Sequence, residues 1–302
     1  DVEGTGPPDR NDEYLFYQLL LASWPAELTG VESPDAEMLR TFCGRVEGAM
    51  IKSVREAKLR STWDSPNAAY EDAILGFVRE ALDVSRPNAF LSAFLAFEEH
   101  VARLGIRNSL VQTALKLTLP GVPDIYQGAE LWDLSLVDPD NRRPVDYPGR
   151  AELLCQVAAS LEQNRQAGML DMIQDWRDGR VKLAIIAALL GYRRARPELF
   201  ARGGYEPLVA TGPRADQICA FVRRHEEDMV VVTAMRFPMR CEENCDWTGT
   251  EIPWPRAAAG QAHWQDILCG GNLEIRGEAV GVKAILGKMP VAVFTPDSGN
   301  FT

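Results

Sequence analysis

Pro120 to Tyr147 reads PGVPDIYQGAELWDLSLVDPDNRRPVDY, and the character of the chain turns on this run. After the helix-breaking Pro120-Gly121 comes VPDIY, a short β-capable segment. A long polar loop follows over residues 127–149. Asp124, Gln127, Glu130, Asp133, Asp138, Asp140, Asn141, Arg142, Arg143 and Asp146 all fall within the run. Carboxylates and amides accept from and donate to sugar hydroxyls, and aromatic faces cover the apolar side of a sugar ring. Two adjacent arginines among several aspartates form charge-assisted, partly bidentate pairs that stiffen a loop. Stiffness matters for sugar chemistry, because small misplacement of reacting atoms costs rate steeply. A second use of such pairs is only to stitch a solvated surface loop together.

Upstream the pattern is helical. Asp12 is a candidate cap for a helix carrying Leu15, Phe16, Leu19, Leu20 and Trp24. Ser33-Pro34 and Ser65-Pro66 pair a capping residue with proline at the first helical position. They open stripes of Met38, Phe42, Val46, Met50 and Val54, then of Tyr70, Ile74, Phe77 and Ala81. Pro87-Asn88 opens another, with Phe90, Phe94, Phe97 and Val101 inward and Gly105 as its stop. Residues 12–104 therefore read as a helical subdomain behind a linker at 1–11. Ile106–Leu119 reads as a further helix, and helical patterns return at about 150–166 and 179–195, the last closed by Arg196-Pro197. From about Tyr205 the period shortens. QICAFVRR, DMVVVTAM, AVGVKAI and MPVAVFT are strand-like, so 201–302 reads as an antiparallel β-sandwich.

Bulk properties exclude some classes. The 302 residues, 46% hydrophobic and 25% charged, suit an ordinary globular protein. A net charge of −11 opposes nucleic-acid binding. No apolar stretch reaches the roughly 18 residues of a membrane span. The chain opens on Asp1 and a Gly/Pro-rich stretch, which sets the expectation that it begins inside a longer protein. Cys43, Cys155, Cys219, Cys241, Cys245 and Cys269 are scattered and lack metal-ligand spacing, so reduced thiols, a cytoplasmic location, and no metal or cofactor are expected. His100, His225 and His263 are isolated and receive no role. Trp247, Trp254 and Trp264 are read as filling the core or its seam, the other reading being a carbohydrate surface. Tyr70 is read as core. Trp63, in a helix–helix connection, is either a sugar platform or a hydrophobic plug.

GVPDIYQGAE resembles the eighth-strand segment of the α-amylase superfamily barrel, with its Gly-x-Pro-x-x-Tyr-x-Gly-x-Glu pattern. The continuation ELWDLSLVDPDNRRPVDY is similar to the maltooligosyl trehalose synthases. So are PPDRNDEYLFYQLLLASWP, REAKLRSTWDSPNAAYEDA and RRARPELFARGGYEPL, in the family's order. The resemblance implies an α+β fold. Its N-terminal two-thirds is mainly helical, with residues 105–200 carrying the last strand and helix of a (β/α)8 barrel, and a sandwich follows. It also implies a retaining double displacement that converts the reducing-end α-1,4 linkage of a maltooligosaccharide to an α,α-1,1 linkage, with carboxylates about 5–5.5 Å apart and water excluded. The nucleophile, the acid and a third aspartate match no residue here and belong upstream, on a missing N-terminal barrel of the same protein. The chain alone is then inactive, and Asp124 and Glu130 serve as anchors. By resemblance the substrate-side residues are Tyr126, Gln127, Glu130, Asp138, Asp140, Asn141, Arg142 and Arg143; Trp63 joins them as a loop aromatic able to serve as a sugar platform, and Arg142 or Arg143 is expected to close the pocket's blind end. The partner is an α-1,4-glucan. A non-catalytic maltooligosaccharide-binding protein and an amylase-like hydrolase are the alternatives.

Overall fold

The computed structural model describes residues 6–241, 245–255 and 263–296. Residues 1–5 of the expected linker, and 242–244, 256–262 and 297–302 of the expected sandwich, lie outside the described residues. Two compact units are present. One comprises residues 1–103 and 133–145, the other 104–132 and 146–302.

The first unit is built from α1 (Arg10–Ser23), α2 (Ala36–Ala57), α3 (Ala68–Ala81) and the first half of α4 (Ala89–Thr118). All four helices start the same way, at an Asp or Asn that follows a proline. Asp9 accepts from the N–H groups of Asn11 and Asp12, and Asp35 from those of Glu37 and Met38. Asn67 accepts from the N–H of Tyr70, and Asn88 from that of Leu91. The expected caps Asp12, Ser33 and Ser65 are thus displaced to the residue after the proline. Proline pushes its predecessor out of the helical region, so the short acceptor just beyond it is the first that can reach the orphan N–H groups. Phe16, Leu20, Trp24, Phe42, Val46, Met50, Val54, Ile74 and Val78 form the core. Within it Trp24 makes edge contacts with Phe42 at 5.2 Å and Phe94 at 5.0 Å. Met38 and Phe97, expected inward, are exposed. Leu136, from the polar run, is buried in the same core.

Gly105 does not stop α4, which continues to Thr118. A glycine terminates a helix by taking a left-handed φ, and Gly105 is not among the residues that do.

In the second unit VPDIY forms no strand, contrary to the expected eighth barrel strand. A strand needs neighbours for its N–H and C=O groups, and no described strand pairs with it. Then come α5 (Tyr147–Gln174, kinked at Asn164), α6 (Arg180–Ala195) and α7 (Pro197–Arg202). The strands are β1 (Gly204–Pro207), β2 (Ile218–His225), β3 (Asp228–Met235), β4 (Glu251–Pro253), β5 (His263–Asp266), β6 (Asn272–Glu274), β7 (Ala279–Gly281) and β8 (Val291–Pro296), with α8 (Val282–Leu286) before the last. AVGVKAI, read as a strand, is half strand and half helix.

Six strands form one antiparallel sheet in the order β1-β2-β3-β8-β5-β6, and β4 pairs with β7 in a separate ribbon. Alternate residues reach opposite faces. Val222, Val231, Trp264, Ala292 and Phe294 share a core with Ile252 of the ribbon and with Val282 and Ile285 of α8. On the other face Thr295 meets Tyr192 of α6 at 2.9 Å, and Arg223 bonds carbonyls of α7. The second layer of the expected sandwich is therefore a short ribbon and a helical turn, and helices cover the opposite face. Trp247, Trp254 and Trp264 are all buried, in keeping with a packing role. Cys241 and Cys245, expected as free thiols, form a disulfide with Cα atoms 4.8 Å apart. Cys241 ends the 3-10 turn Pro238–Cys241, and its pairing with Cys245 is not revealed by spacing alone.

Gly212 shows where the ribbon is tight. Its φ is +100°, and an added β-carbon would strike the Gly249 carbonyl beside the Thr211–Glu251 bridge. Gly212→Ala is expected to lower stability by roughly 1–3 kcal/mol, read as a shift in the urea midpoint. An unchanged midpoint would count against this close approach.

Candidate functional site

The polar run divides between the two units, and each part has its own anchorage. In the first unit, residues 133–145 are held by α2. Arg45 and Lys52 are seven residues apart, two helical turns, and so share a face. Arg45 Nε donates to Asp140 Oδ1 at 3.0 Å, and Nη2 donates to Oδ2 at 3.0 Å and to the Leu134 carbonyl at 2.7 Å. Lys52 Nζ donates to Asp138 Oδ1 at 2.8 Å and to the Asp138 carbonyl at 2.9 Å. The Leu136 N–H donates to Asp140 at 2.7 Å and closes the turn.

These contacts set the charge states. Burial raises the Asp140 carboxyl, but Arg45, the Leu136 N–H and Arg143 outweigh it and hold the group below its ordinary value. The Lys52 ammonium holds Asp138 low in the same way, and Asp138 raises Lys52 in return. Neither carboxyl suits a general acid, which needs a raised pKa.

The loop arginines share the same two carboxylates. Arg143 Nε lies 3.2 Å from Asp140 Oδ1 and donates to the Asp140 carbonyl at 3.0 Å. Arg142 stands 3.6 Å from Asp138. The side chains of both are mostly exposed, at 72% for Arg142 and 55% for Arg143, whereas Asp140 is 12% exposed. Asn141 is also exposed. Arg45 and Arg143 line a hollow of about 360 Å³ together with Met38, Phe42, Glu37 and Thr41.

Trp63 lies elsewhere on this unit, 55% exposed, with the Arg55 guanidinium 4.9 Å from its ring centre. Arg55 in turn forms a fork with buried Glu71, at 2.8 and 2.6 Å. Arg55, and then Ser61, hold the Glu71 carboxyl down at about 2. Tyr70, read as core from its stripe, is half-buried and polar in its use. Its hydroxyl donates to Asp12 at 2.5 Å and accepts from the Asp9 N–H at 3.1 Å.

In the second unit, Tyr126 and Gln127 are exposed, and Gln127 accepts from the Tyr147 hydroxyl at 3.2 Å. Glu130 faces Arg150 at 3.4 Å, and Arg150 also donates to the Gly128 carbonyl at 3.2 Å. Trp132 Nε1 donates to the Trp176 carbonyl at 2.7 Å. Asp146 caps α5 at the Gly149 N–H.

The structure thus brings Asp138, Asp140, Arg142 and Arg143 into one charge cluster with Asn141 beside it. Trp63, in the same unit, contacts Arg55 rather than this cluster; Tyr126, Gln127 and Glu130 belong to the other unit, where Gln127 is bonded by Tyr147 and Glu130 faces Arg150. Sequence reasoning missed Arg45 and Lys52, which lie 95 and 86 residues from their partners. The available signal was two basic residues two turns apart on an otherwise amphipathic helix, matching two aspartates two residues apart in the loop. Among the described residues no group of three or more His, Cys, Asp or Glu is arranged to hold a metal, and no helix is long and apolar enough to cross a membrane.

No family model matches the chain. Over 291 residues it is 33% identical to a "Putative maltooligosyl trehalose synthase" of Mycobacterium tuberculosis, covering 96% of this chain and 32% of that protein. Among solved structures it is similar to maltooligosyltrehalose synthase from Arthrobacter ramosus, with a TM-score of 0.72 and 28% identity over 94% of this chain and 32% of the other. A hypothetical maltooligosyl trehalose synthase of Sulfolobus tokodaii gives a TM-score of 0.65 and 25% identity, over 94% of this chain and 32% of that one. The chain spans about a third of the length of these relatives.

Proposed function

We propose, from the premise that this chain is a relative of the maltooligosyl trehalose synthases, that it forms the C-terminal part of a trehalose-forming mutase. The enzyme moves a glucosyl unit within a maltooligosaccharide, turning the reducing-end α-1,4 linkage into an α,α-1,1 linkage by the retaining route. A carboxylate attacks the anomeric carbon next to the terminal glucose while a carboxylic acid protonates the leaving oxygen. The freed glucose turns in place, and its anomeric hydroxyl takes the glycosyl group back. Both reacting carboxyls lie outside this chain. Asp138 and Asp140 are committed to ion pairs, which suits loop carboxylates that hold rather than react.

The chain's part is substrate-side wall. Its contributors are Asn141, Arg142 and Arg143 on the clamped loop, Tyr126, Gln127 and Glu130 before it, and Trp63 as an aromatic platform. One observation carries this reading: the loop is fixed by Arg45 and Lys52 while Asn141, Arg142 and Arg143 stay exposed. The part-buried fork fixes the loop backbone while the loop's donors face solvent, which supports a loop that positions side chains.

The test is product partition in the full-length protein given maltopentaose. Wild type is expected to form a non-reducing product. Arg142→Ala and Arg143→Ala are each expected to raise hydrolysis relative to isomerisation several-fold, because water enters while the glucose turns. Wild-type partition in both variants would remove the wall reading. Release of reducing sugar alone by wild type would replace the mutase with a hydrolase.

A further inference from the structure

We infer that Arg45 and Lys52 are positioning residues for the reaction, keeping the loop arginines available by neutralising the carboxylates that would otherwise sequester them. This rests on the wall reading above.

The geometry is that of two shared carboxylates. Asp140 is held by Arg45 through a fork at 3.0, 3.3 and 3.0 Å and is also approached by Arg143 at 3.2 Å. Asp138 is held by Lys52 at 2.8 Å and approached by Arg142 at 3.6 Å. In each pair the α2 cation makes the better bonds, and its side chain is more enclosed than its loop rival, at 15% against 55% exposed and 18% against 72%. Electrostatic attraction strengthens as water is excluded, so each carboxylate is committed downward to α2. Arg45 also takes the Leu134 carbonyl, and Lys52 the Asp138 carbonyl. The loop backbone is thereby pinned at two points, with buried Leu136 between them.

Without Arg45, Asp140 loses its main partner and Arg143 is the cation left to it. The arginine, which already touches Asp140 at 3.2 Å while staying 55% exposed, is then drawn fully into that pair and loses its exposure. Lys52 stands in the same relation to Arg142. Loss of Arg45 is therefore expected to mimic loss of Arg143.

The experiment uses the full-length protein with Arg45→Ala, Arg45→Lys and Lys52→Met, reading Tm, KM, kcat and product partition on maltopentaose. Arg45→Ala is expected to lower kcat about tenfold, in line with the cost of ångström-scale misplacement, and to raise the hydrolytic share several-fold. Lys52→Met should do the same to a smaller degree. Arg45→Lys should recover part of the loss, since an ammonium restores charge but not the planar fork. Should Arg45→Ala fail to fold, Arg45→Lys and Lys52→Met carry the measurement. Variants with lowered Tm but wild-type kcat, KM and partition would overturn the inference, leaving Arg45 and Lys52 as stitches. If Arg142→Ala and Arg143→Ala still shift partition in that case, the wall reading stands. If they too are silent, that reading has failed first.

Discussion

Replacing Arg223 by methionine is expected to lower the stability of the sheet-bearing unit by about 2–4 kcal/mol, the cost of buried carbonyls left without donors. Arg223 is 1% exposed, and its guanidinium bonds carbonyls rather than carboxylates. Nε donates to the Gly204 carbonyl at 2.9 Å and Nη1 to that of Thr118 at 3.0 Å. Nη2 is shared among the carbonyls of Gly203, Leu199 and Phe200, at 2.9, 3.3 and 3.3 Å. Thr118, Phe200 and Gly203 lie at the ends of α4 and α7, where carbonyls lack a helical partner and the helix dipole is negative, while Leu199 also accepts from the Gly203 N–H and Gly204 begins β1. Arg193 joins the arrangement, donating to the Leu117 carbonyl at 2.9 Å. Burial, and then the neighbouring Arg193, pull the Arg223 pKa down, yet an arginine keeps its proton in proteins. Methionine fills similar volume but strands buried carbonyls. Arg223→Lys is expected to recover less than half the loss, because one ammonium cannot reach donors' positions set by a planar fork. Urea unfolding measures both variants. A loss below about 1 kcal/mol for Arg223→Met, the size of an ordinary single substitution, would show that water serves these carbonyls equally well.

The second large effect is expected to come from Asp266 and to run opposite to ordinary acid denaturation. The carboxyl is buried at the end of β5, where Oδ1 accepts from the Leu268 N–H at 3.0 Å and the Val293 N–H at 3.4 Å. Burial pushes its pKa up to about 6 from an ordinary 3.8, although the backbone donors and the Cys269 thiol work against the rise. Burial, and then the Asp266 charge, push the Cys269 thiol up in turn. A raised carboxyl means that the folded state favours the neutral form. The contribution is full below the unfolded pKa, where both states are protonated, and is lost as pH rises through about 6. Roughly two pH units at about 1.4 kcal/mol each make this about 3 kcal/mol. Asp266→Asn keeps an acceptor oxygen and carries no charge. The stability gap between variant and wild type should therefore move in the variant's favour by about 2–3 kcal/mol from pH 4 to pH 7. An equal gap at both ends of that range would show that the buried carboxyl is neutralised some other way.

Particular elements show what can be read from residues. The helices of the first unit were legible because proline-marked starts and apolar steps of three or four are local signals, and only the choice of cap slipped, by two or three residues. The long β2 and β3 were legible from their β-branched runs. VPDIY was not, because its β propensity describes a surface that packs well beside other strands and no such strand is present among the described residues. Gly105 misled for a related reason: glycine permits a helix end without requiring one. For the site, the polar residues of the run were visible, but Arg45 and Lys52 were hidden by their distance along the chain. Tyr70 was hidden by its own stripe, since an apolar ring and a hydrogen-bonding hydroxyl occupy the same position.

From its order of residues alone, this protein had determined its helices, its main strands, its run of sugar-suited polar groups and its likeness to the maltooligosyl trehalose synthases. All of these are written in neighbours a few positions apart. Only the folded chain decided which cation holds which carboxylate, to which carbonyls Arg223 donates, and whether VPDIY is a strand. Pairing energies depend on distance and on exclusion of water, and both are properties of the packed chain that no local spacing encodes.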